Sequence, residues 1–163
     1  MSKIKILFVC MGNICRSPLA QAIFNDYVEK NHLITKFEAD SAGTTAFHVG
    51  SEPDERAIKI AHKNSINIHH RARQISPSDF KYYDYILVMD HLNYEEVINI
   101  CPDKLCRDKI FLLRSFDPSI TSEREYNIPD PYYGQDADFY EVYHICERSI
   151  QGFMNYLASI NKF

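Results

Sequence analysis

Residues 4–18 read IKILFVCMGNICRSP and combine an apolar run, a short loop and a helix start. The first part of this stretch, Ile4–Val9, is an apolar run of strand length and predicts a buried β-strand. Its last residues are typical of a helix start, with Ser17 as the N-cap and Pro18 at the first helical position. The stretch therefore predicts a strand, a short loop and a helix in direct succession.

The same alternation of strand and helix continues along the chain. Further apolar runs of strand length lie at Phe37–Ala39, Tyr85–Met89 and Lys109–Leu113. Helical spacing predicts helices over Pro18–Lys30, Asp54–Asn64 and Leu92–Ile100, and a final helix from Ala137 onward. Alternating strands and helices are typical of parallel sheets with crossover helices. No linker composition interrupts the chain, so we expect one α/β domain over residues 1–163, with a central four-stranded parallel sheet and helices on both faces.

The composition excludes several classes of protein. The 163 residues carry a net charge of −4, and no run of Lys or Arg offers a surface for nucleic acid or an anionic membrane. The apolar run Ile6–Met11 is shorter than a signal-peptide core. Five cysteines at irregular spacing do not form the pattern of a secreted disulfide framework. We therefore expect a cytoplasmic protein, a monomer, with no nucleic-acid or membrane partner.

The loop between the first strand and the first helix has the residues of an anion site. Backbone N–H groups in such a loop can turn inward as a nest, and Gly12 and Asn13 tolerate the left-handed conformations that this requires. The helix N-terminus adds its dipole, and Arg16 adds a planar fork that matches two phosphate oxygens. A positive field of this kind favours the thiolate of Cys10, which is a nucleophile for a bound phosphate, and Ser17 can donate its hydroxyl to the sulfur. The alternative is a buried strand cysteine with an arginine on the helix surface.

A phosphate monoester also needs an acid to protonate its leaving group and a base to activate water. Two Asp-Pro pairs are present, at Asp117 and Asp130. Tyr132 and Tyr133 follow Asp130 and can wall a slot for a phenyl ring, whereas Asp117 is typical of a turn. The residues favour Asp130 as the acid.

The loop Cys10–Pro18 resembles the Cys-x-Gly-Asn-x-Cys-Arg-Ser-Pro loop of the low-molecular-weight protein tyrosine phosphatases. Other stretches similar to that family follow in the family's order, at Asp40–Thr44, Ala72–Gln74, Asp84–Asp90 and Asp130–Gly134. The resemblance covers nearly the whole chain. It implies that Cys10 is the nucleophile that becomes phosphorylated, that Arg16 binds phosphate and the transition state, and that Asp130 is first the general acid and then the base.

The resemblance also implies roles around these three residues. The implied phosphate-binding loop consists of Met11, Gly12, Asn13, Ile14, Cys15, Arg16 and Ser17. The implied supporting network consists of Asn13, Ser17, Ser41 and His70, although His69 and His70 are alternatively a surface histidine pair. The implied substrate rim consists of Met11, Phe47, Tyr132 and Tyr133. Cys15 is implied to form a reversible disulfide with Cys10, with a packing role as the alternative.

Two alternatives use the downstream cysteines. Cys10 and Cys15 with Cys101 and Cys106 form two spaced pairs that resemble a four-cysteine zinc site, but Arg16 would then lie beside the metal. Thioredoxin-coupled arsenate reductases have the same Cys-x5-Arg loop and two further cysteines that pass a disulfide outward from the site. In this alternative, Cys101 and Cys106 would be those two cysteines.

Two more alternatives concern the phosphate loop itself. An arginine phosphatase tends to carry Thr where Ile14 stands, so Ile14 and the paired tyrosines favour phosphotyrosine. A phosphotyrosine-binding module without activity would not need Cys10, Arg16 and Asp130 together. We therefore expect hydrolysis of phosphotyrosine proteins and aryl phosphate monoesters through a cysteinyl-phosphate, with release of inorganic phosphate and with no metal or cofactor.

Overall fold

The computed structural model describes residues 2–163 and contains a four-stranded sheet in which all neighbouring strands are parallel. The strands are β1 (Ile4–Cys10), β2 (Phe37–Gly43), β3 (Tyr85–Val88) and β4 (Ile110–Leu112). Their spatial order is β2-β1-β3-β4. The predicted parallel sheet is confirmed, and β1 is one of its two inner strands.

Five α-helices occur in this part of the chain. They are α1 (Arg16–Lys30), α2 (Glu55–Lys63), α3 (Asp79–Tyr82), α4 (His91–Ile100) and α5 (Asp136–Ser159). Short 3₁₀ turns occupy Leu105–Lys109, Leu113–Phe116 and Glu123–Glu125. Helices α1, α2 and α5 pack together on one face of the sheet, and α3 and α4 cover the other, so the predicted helices on both faces are confirmed. Within residues 2–163, no helix combines the length and the apolar character that a membrane span needs.

The two apolar cores explain why β1 is apolar at consecutive positions. Ile6 and Phe8 pack into the core under α1 and α5, whereas Leu7 and Val9 pack into the core under α3 and α4. All four side chains are fully buried. A parallel strand covered on both faces is apolar at successive positions, and β1 meets that requirement from Ile6 to Cys10, whereas Lys5 near its start is only partly buried.

The start of α1 differs from the prediction. The helix begins at Arg16 with Cys15 as its N-cap, so Ser17 is not the cap and Pro18 occupies the third helical position. The physical reason is that the Ser17 hydroxyl lies 3.0 Å from the Cys10 sulfur and is not available to a helical N–H group. Pro18 is tolerated because no residue in the first turn needs its N–H for a helical bond.

Two other boundaries also differ. Strand β2 continues beyond Ala39 to Gly43, because its polar second half still pairs with β1 up to Cys10. Helix α3 is not among the predicted helices, since four residues are too few to show helical spacing. The predicted helix over Asp54–Asn64 is confirmed, with Asp54 as its N-cap.

Candidate active site

The loop between β1 and α1 wraps around the sulfur of Cys10. The backbone N–H of Asn13 donates to Cys10 Sγ at 3.3 Å, and Ser17 Oγ lies 3.0 Å from the same sulfur. Asn13 has a φ of 57°, in the left-handed region that asparagine tolerates, and this conformation turns its N–H inward. Cys10 is almost fully buried at the base of the pocket. The loop therefore places hydrogen-bond donors around a single sulfur atom.

The Ser17 hydroxyl has a defined direction. Its oxygen accepts a hydrogen bond from Asn13 Nδ2 at 2.7 Å, so its own proton is free to point at Cys10 Sγ. A hydroxyl donor stabilises the thiolate form of a cysteine more than the thiol form. The arrangement suits a sulfur that must act both as a nucleophile and as a leaving group.

Arg16 lies beside the pocket with only 2% of its surface exposed. Its Nη1 donates to Asp90 Oδ2 at 2.7 Å and to the carbonyl of Ile128 at 2.8 Å. Burial lowers the pKa of Arg16, but the charges of Cys10 and Asp90 more than offset this, so its pKa lies above the ordinary value and the guanidinium stays charged. Nη1 is held by two acceptors, which fixes the plane of the guanidinium at the pocket.

The four residues predicted to support the loop are linked by hydrogen bonds that centre on Asn13. Asn13 Nδ2 also donates to Ser41 Oγ at 3.0 Å, and Ser41 donates to Gln21 Oε1 at 2.6 Å. His70 Nε2 lies 2.7 Å from Asn13 Oδ1. That oxygen is an acceptor, so the Nε2 atom carries the proton and donates. The network connects the inward-turned residue of the loop to β2 and α1.

His70 is neutral in this network. Only 8% of its side chain is exposed, and burial lowers its pKa below the usual value, with a smaller contribution from Arg73. Asp40, 3.6 Å from Nδ1, acts in the opposite direction but does not reverse the shift. His69, by contrast, is exposed. The alternative of a surface histidine pair therefore does not apply to His70.

Asp130 reaches the pocket from the loop that precedes α5. Its Oδ2 lies 3.5 Å from Arg16 Nη2, while its Oδ1 accepts from the backbone N–H of Tyr132 at 3.2 Å. The carboxyl group is 36% exposed, so water and a leaving group can both approach it. Asp130 is therefore placed above the anion site rather than within it.

The mouth of the pocket is aromatic. Tyr132 and Tyr133 pack edge to face with ring centroids 4.9 Å apart, and Phe47, with 85% of its surface exposed, lines the same pocket. His48, which the sequence analysis did not single out, lies beside Tyr132 with ring centroids 6.1 Å apart. All four predicted rim residues line the pocket, which is bounded by Cys10, Met11, Gly12, Ile14, Cys15, Arg16, Thr45, Phe47, His48, Asp130, Tyr132 and Tyr133. These walls fit a flat ring above a bound phosphate.

The second Asp-Pro pair lies elsewhere. Asp117 is buried and does not line the pocket. Its Oδ1 accepts from the N–H of Ser119 at 2.9 Å, which is a turn contact, and its carboxyl group pairs with Arg148. Burial acts to raise the pKa of Asp117, but the hydrogen bonds from Ser119 and Arg148 together have the larger, opposite effect. The pKa therefore lies below its ordinary value and the group stays ionised. Asp117 is a structural carboxylate in the predicted turn.

The remaining cysteines fall into two groups. Cys15 lines the pocket and Cys146 lies in the core, both as buried thiols, and burial raises the pKa of each. Cys101 and Cys106 are joined in a disulfide with a Cα–Cα distance of 6.2 Å. The interpretation that the cysteines do not form a disulfide framework therefore has this one pair as an exception.

The location of the disulfide argues against the zinc-site and arsenate-reductase alternatives. Cys101 follows α4, which begins after the carboxyl end of β3, and Cys106 precedes β4. The pair therefore lies at the amino ends of the strands, whereas Cys10 is the last residue of β1. The four cysteines of the supposed zinc site do not come together. A disulfide cascade from Cys10 to Cys101 would have to cross the length of the sheet.

Two functional contacts escaped the sequence analysis. Asp90, which caps α4 and holds Arg16, appeared only as the last residue of the family-like stretch Asp84–Asp90, without an assigned role. Arg56 on α2 donates to the carbonyls of Tyr132 and Gly134, beside the candidate acid. Every residue has a backbone carbonyl, so the sequence does not show which carbonyls an arginine binds. No motif therefore indicated a role for Arg56.

Comparison with known proteins agrees with this geometry. A family model described as "Low molecular weight phosphotyrosine protein phosphatase" matches residues 5–162. The protein of that name from Sus scrofa is 42% identical over 150 residues, which cover 91% of this chain and 92% of that one. A solved protein tyrosine phosphatase from Entamoeba histolytica is 37% identical with a TM-score of 0.90, covering 96% of this chain and 98% of that one. A Drosophila arginine phosphatase structure is 34% identical with a TM-score of 0.84, covering 93% and 96%. The chain belongs to the low molecular weight phosphotyrosine protein phosphatase family and is an enzyme of that family.

Proposed function

We propose that this enzyme hydrolyses phosphotyrosine in proteins, and aryl phosphate monoesters, through a cysteinyl-phosphate intermediate on Cys10. One observation carries the proposal. The buried sulfur of Cys10, with its hydroxyl and N–H donors, shares a pocket with a charged, buried Arg16, and Asp130 stands 3.5 Å from that guanidinium. A nucleophile, an anion clamp and an acid are the three groups that phosphoryl transfer to a thiolate needs.

In the first half-reaction, the phosphate binds between the inward N–H groups of the loop and the Arg16 fork. Cys10 Sγ attacks phosphorus, the bond from phosphorus to the phenolic oxygen breaks, and Asp130 gives its proton to that oxygen. The exposed position of Asp130 above the anion site is compatible with this transfer. The loop N–H groups and Arg16 stabilise the charge on the equatorial oxygens in the transition state.

In the second half-reaction, Asp130 is ionised and takes a proton from water as the water attacks phosphorus. The sulfur leaves as a thiolate, stabilised by the hydroxyl of Ser17, and inorganic phosphate is released. All of these groups come from one chain, which supports a monomeric catalytic domain over residues 1–163. We place the enzyme in the cytoplasm because the mechanism needs Cys10 as a free thiol. The Cys101–Cys106 disulfide is the one feature that does not favour a reducing compartment.

The aromatic mouth supports phosphotyrosine as the substrate. Tyr132, Tyr133 and Phe47 line the same pocket as Cys10 and Arg16, so their rings are available to contact the phenyl group of a bound phosphotyrosine. Phosphoserine would place the phosphate at the same depth but leave these faces uncovered. Phosphoarginine is the second candidate, because the arginine phosphatase of Drosophila shares the fold at 34% identity.

A panel of phosphopeptides tests this proposal. We expect kcat/KM to be highest for phosphotyrosine, with phosphoserine and phosphoarginine lower by about 10²-fold or more, since unfilled apolar walls forfeit binding energy. Cys10→Ser serves as the inactive control, and activity with chelator present separates the thiolate route from metal catalysis. A preference for phosphoarginine, or full activity in Cys10→Ser, would overturn the proposal.

A further inference from the structure

Arg56 connects the two loops that form the active site. It is the second residue of α2 and does not line the catalytic pocket. Its Nη2 donates to the carbonyl of Tyr132 at 2.9 Å, and its Nη1 donates to the carbonyl of Gly134 at 2.9 Å. Both acceptors belong to the segment 130–134, called here the acid loop because it carries Asp130.

The other side of the Arg56 guanidinium is held by Asp54. Nε donates to Asp54 Oδ1 at 3.0 Å and Nη2 to Asp54 Oδ2 at 2.9 Å, which is a bidentate pair. The guanidinium also lies over the ring of Phe139, 4.5 Å from its centroid. Arg56 thus has its fork fixed by a carboxylate, an aromatic face and two carbonyls.

Asp54 continues the connection to the phosphate loop. Its backbone N–H donates to the carbonyl of Ile14 at 2.8 Å. A chain of contacts therefore runs from Ile14, through Asp54 and Arg56, to Tyr132 and Gly134. It joins the loop that holds the nucleophile to the loop that holds the acid.

The acid loop depends on contacts of this kind. Asp130 and Tyr133 are exposed, and the segment lies outside the strands and helices of the fold. Its internal bonds, from Gly134 N to Pro131 O and from Tyr132 N to Asp130 Oδ1, shape the turn but do not attach it to the sheet. The fork of Arg56 attaches the turn to α2 at Tyr132 and Gly134, two and four residues after Asp130.

We propose that Arg56 is a positioning residue that holds the carboxyl group of Asp130 at the leaving-group oxygen, by clamping the acid loop to the phosphate loop through Asp54. This rests on the proposed role of Asp130 as the general acid. Arg56 itself touches neither the substrate nor the sulfur. Its removal should therefore weaken proton donation without weakening phosphate binding.

The leaving group distinguishes positioning from a general structural role. Phenyl phosphate and phosphotyrosine need a proton on the departing oxygen, whereas 2,4-dinitrophenyl phosphate departs without one. For Arg56→Met, which keeps the aliphatic stem, we expect kcat/KM to fall about 10- to 100-fold on phenyl phosphate, the size expected from a misplaced catalytic group. On dinitrophenyl phosphate it should change by less than about twofold, since no proton is transferred to the leaving oxygen. The Ki for inorganic phosphate should stay unchanged.

The controls use residues beside the clamp. Lys59 lies on the same helix as Arg56, and Lys59→Met removes only the exposed Lys59–Asp136 pair. This variant should therefore hydrolyse both substrates at wild-type rates. Asp130→Asn should show the same leaving-group pattern with a larger loss, and the double variant with Arg56→Met should be no worse than Asp130→Asn alone. If Arg56→Met does not fold, Arg56→Lys replaces it, since a lysine keeps the charge but cannot hold both carbonyls and the carboxylate.

Two outcomes would overturn the proposal. One is an equal loss on both substrates in the Arg56 variant, and the other is a double variant whose losses multiply. A failure of the proposed function is a separate result, in which Asp130→Asn itself shows no dependence on the leaving group.

Discussion

At the scale of single residues, Ser17 illustrates how one hydroxyl serves two partners. It accepts from Asn13 Nδ2 at 2.7 Å and lies 3.0 Å from Cys10 Sγ, so its proton is directed to the sulfur by the donor on its other side. The same geometry removes it from helix capping, which is why the predicted N-cap was wrong. The sequence preference of serine for helix N-caps predicted a cap at Ser17. The hydroxyl instead contacts the sulfur of Cys10, and the helix begins one residue before Ser17, at Arg16.

Replacing Ser17 tests this role. We expect Ser17→Ala to lower kcat for phosphotyrosine about 10- to 100-fold, which corresponds to the loss of a hydrogen bond to a charged group worth about 1.5–3 kcal/mol. The loss should be larger in kcat than in kcat/KM, because the sulfur departs as a thiolate in the second half-reaction. Steady-state kinetics measure both quantities, and the exposed Ser78→Ala is the matched control. An unchanged kcat would contradict the role.

The burial of His70 predicts how the free energy of unfolding depends on pH. Burial lowers its pKa below the ordinary value of 6.5, so protonation is favoured in the unfolded chain, whose histidine keeps that ordinary value. The folded state binds fewer protons, and its free energy of unfolding should therefore fall as the pH drops below about 6.5. Above that pH, both states are neutral at His70 and the contribution is constant.

Urea unfolding at several pH values checks this sign. His70→Gln should have a shallower fall in the free energy of unfolding between pH 7 and pH 5.5 than the wild type. His69→Gln, which alters the exposed neighbour, is the control for the other histidines. A slope in His70→Gln equal to that of the wild type would show that His70 does not titrate differently in the two states.

At the scale of elements, the end of β2 is packed against the phosphate loop. A Cβ atom on Gly43 would lie 2.8 Å from the carbonyl oxygen of Met11 and 3.2 Å from Asn13 N. Both contacts are with backbone atoms, which cannot move aside as a side chain can. The glycine allows the loop to close onto the strand.

Gly43→Ala should therefore push the phosphate loop away from β2. We expect a destabilisation of about 1–3 kcal/mol, the usual cost of overpacking, and a weaker Ki for inorganic phosphate. Thermal unfolding and inhibition assays measure the two effects. Full phosphate affinity in a stably folded Gly43→Ala would show that the loop tolerates the added carbon.

The order of elements could be predicted well, for a physical reason. Strand β1 is buried on both faces from Ile6 onward, so its apolar run is continuous there, and α5 shows helical spacing because it buries one face. Helix α1 shows that spacing in its second half, since its first turn is buried all round. Helix α3 and the second half of β2 could not be predicted in the same way. One is too short to show a period, and the other carries polar residues because its carboxyl end serves the site.

At the scale of the whole molecule, the site forms where separate segments meet at the carboxyl ends of parallel strands. Cys10 ends β1, Ser41 lies near the end of β2, and Asp90 follows β3. Asp130 arrives on a loop before α5, far along the chain. The phosphate loop could be predicted from the sequence because it is contiguous. The Arg56 contacts with the acid loop could not, since 76 and 78 residues separate Arg56 from its two carbonyl partners.

The net charge of −4 does not prevent the molecule from holding a phosphate in its pocket. The attraction for a phosphate is confined to one buried guanidinium, the inward N–H groups and the N-terminus of α1. An acidic surface does not oppose such a short-range site strongly, because charges more than about 8–10 Å apart are screened in physiological salt. A negative net charge is therefore compatible with a phosphate site of this kind.

Trapping the intermediate is the most direct test of the central claim, that Cys10 carries the phosphoryl group. Asp130→Asn is mixed with dinitrophenyl phosphate, quenched at short times and digested for mass spectrometry. Because this leaving group needs no acid and the second half-reaction lacks its base, we expect a phosphate adduct to accumulate on the peptide that contains Cys10. The adduct should be absent from Cys10→Ser. Turnover without any adduct on Cys10, or an adduct on another residue, would contradict the account.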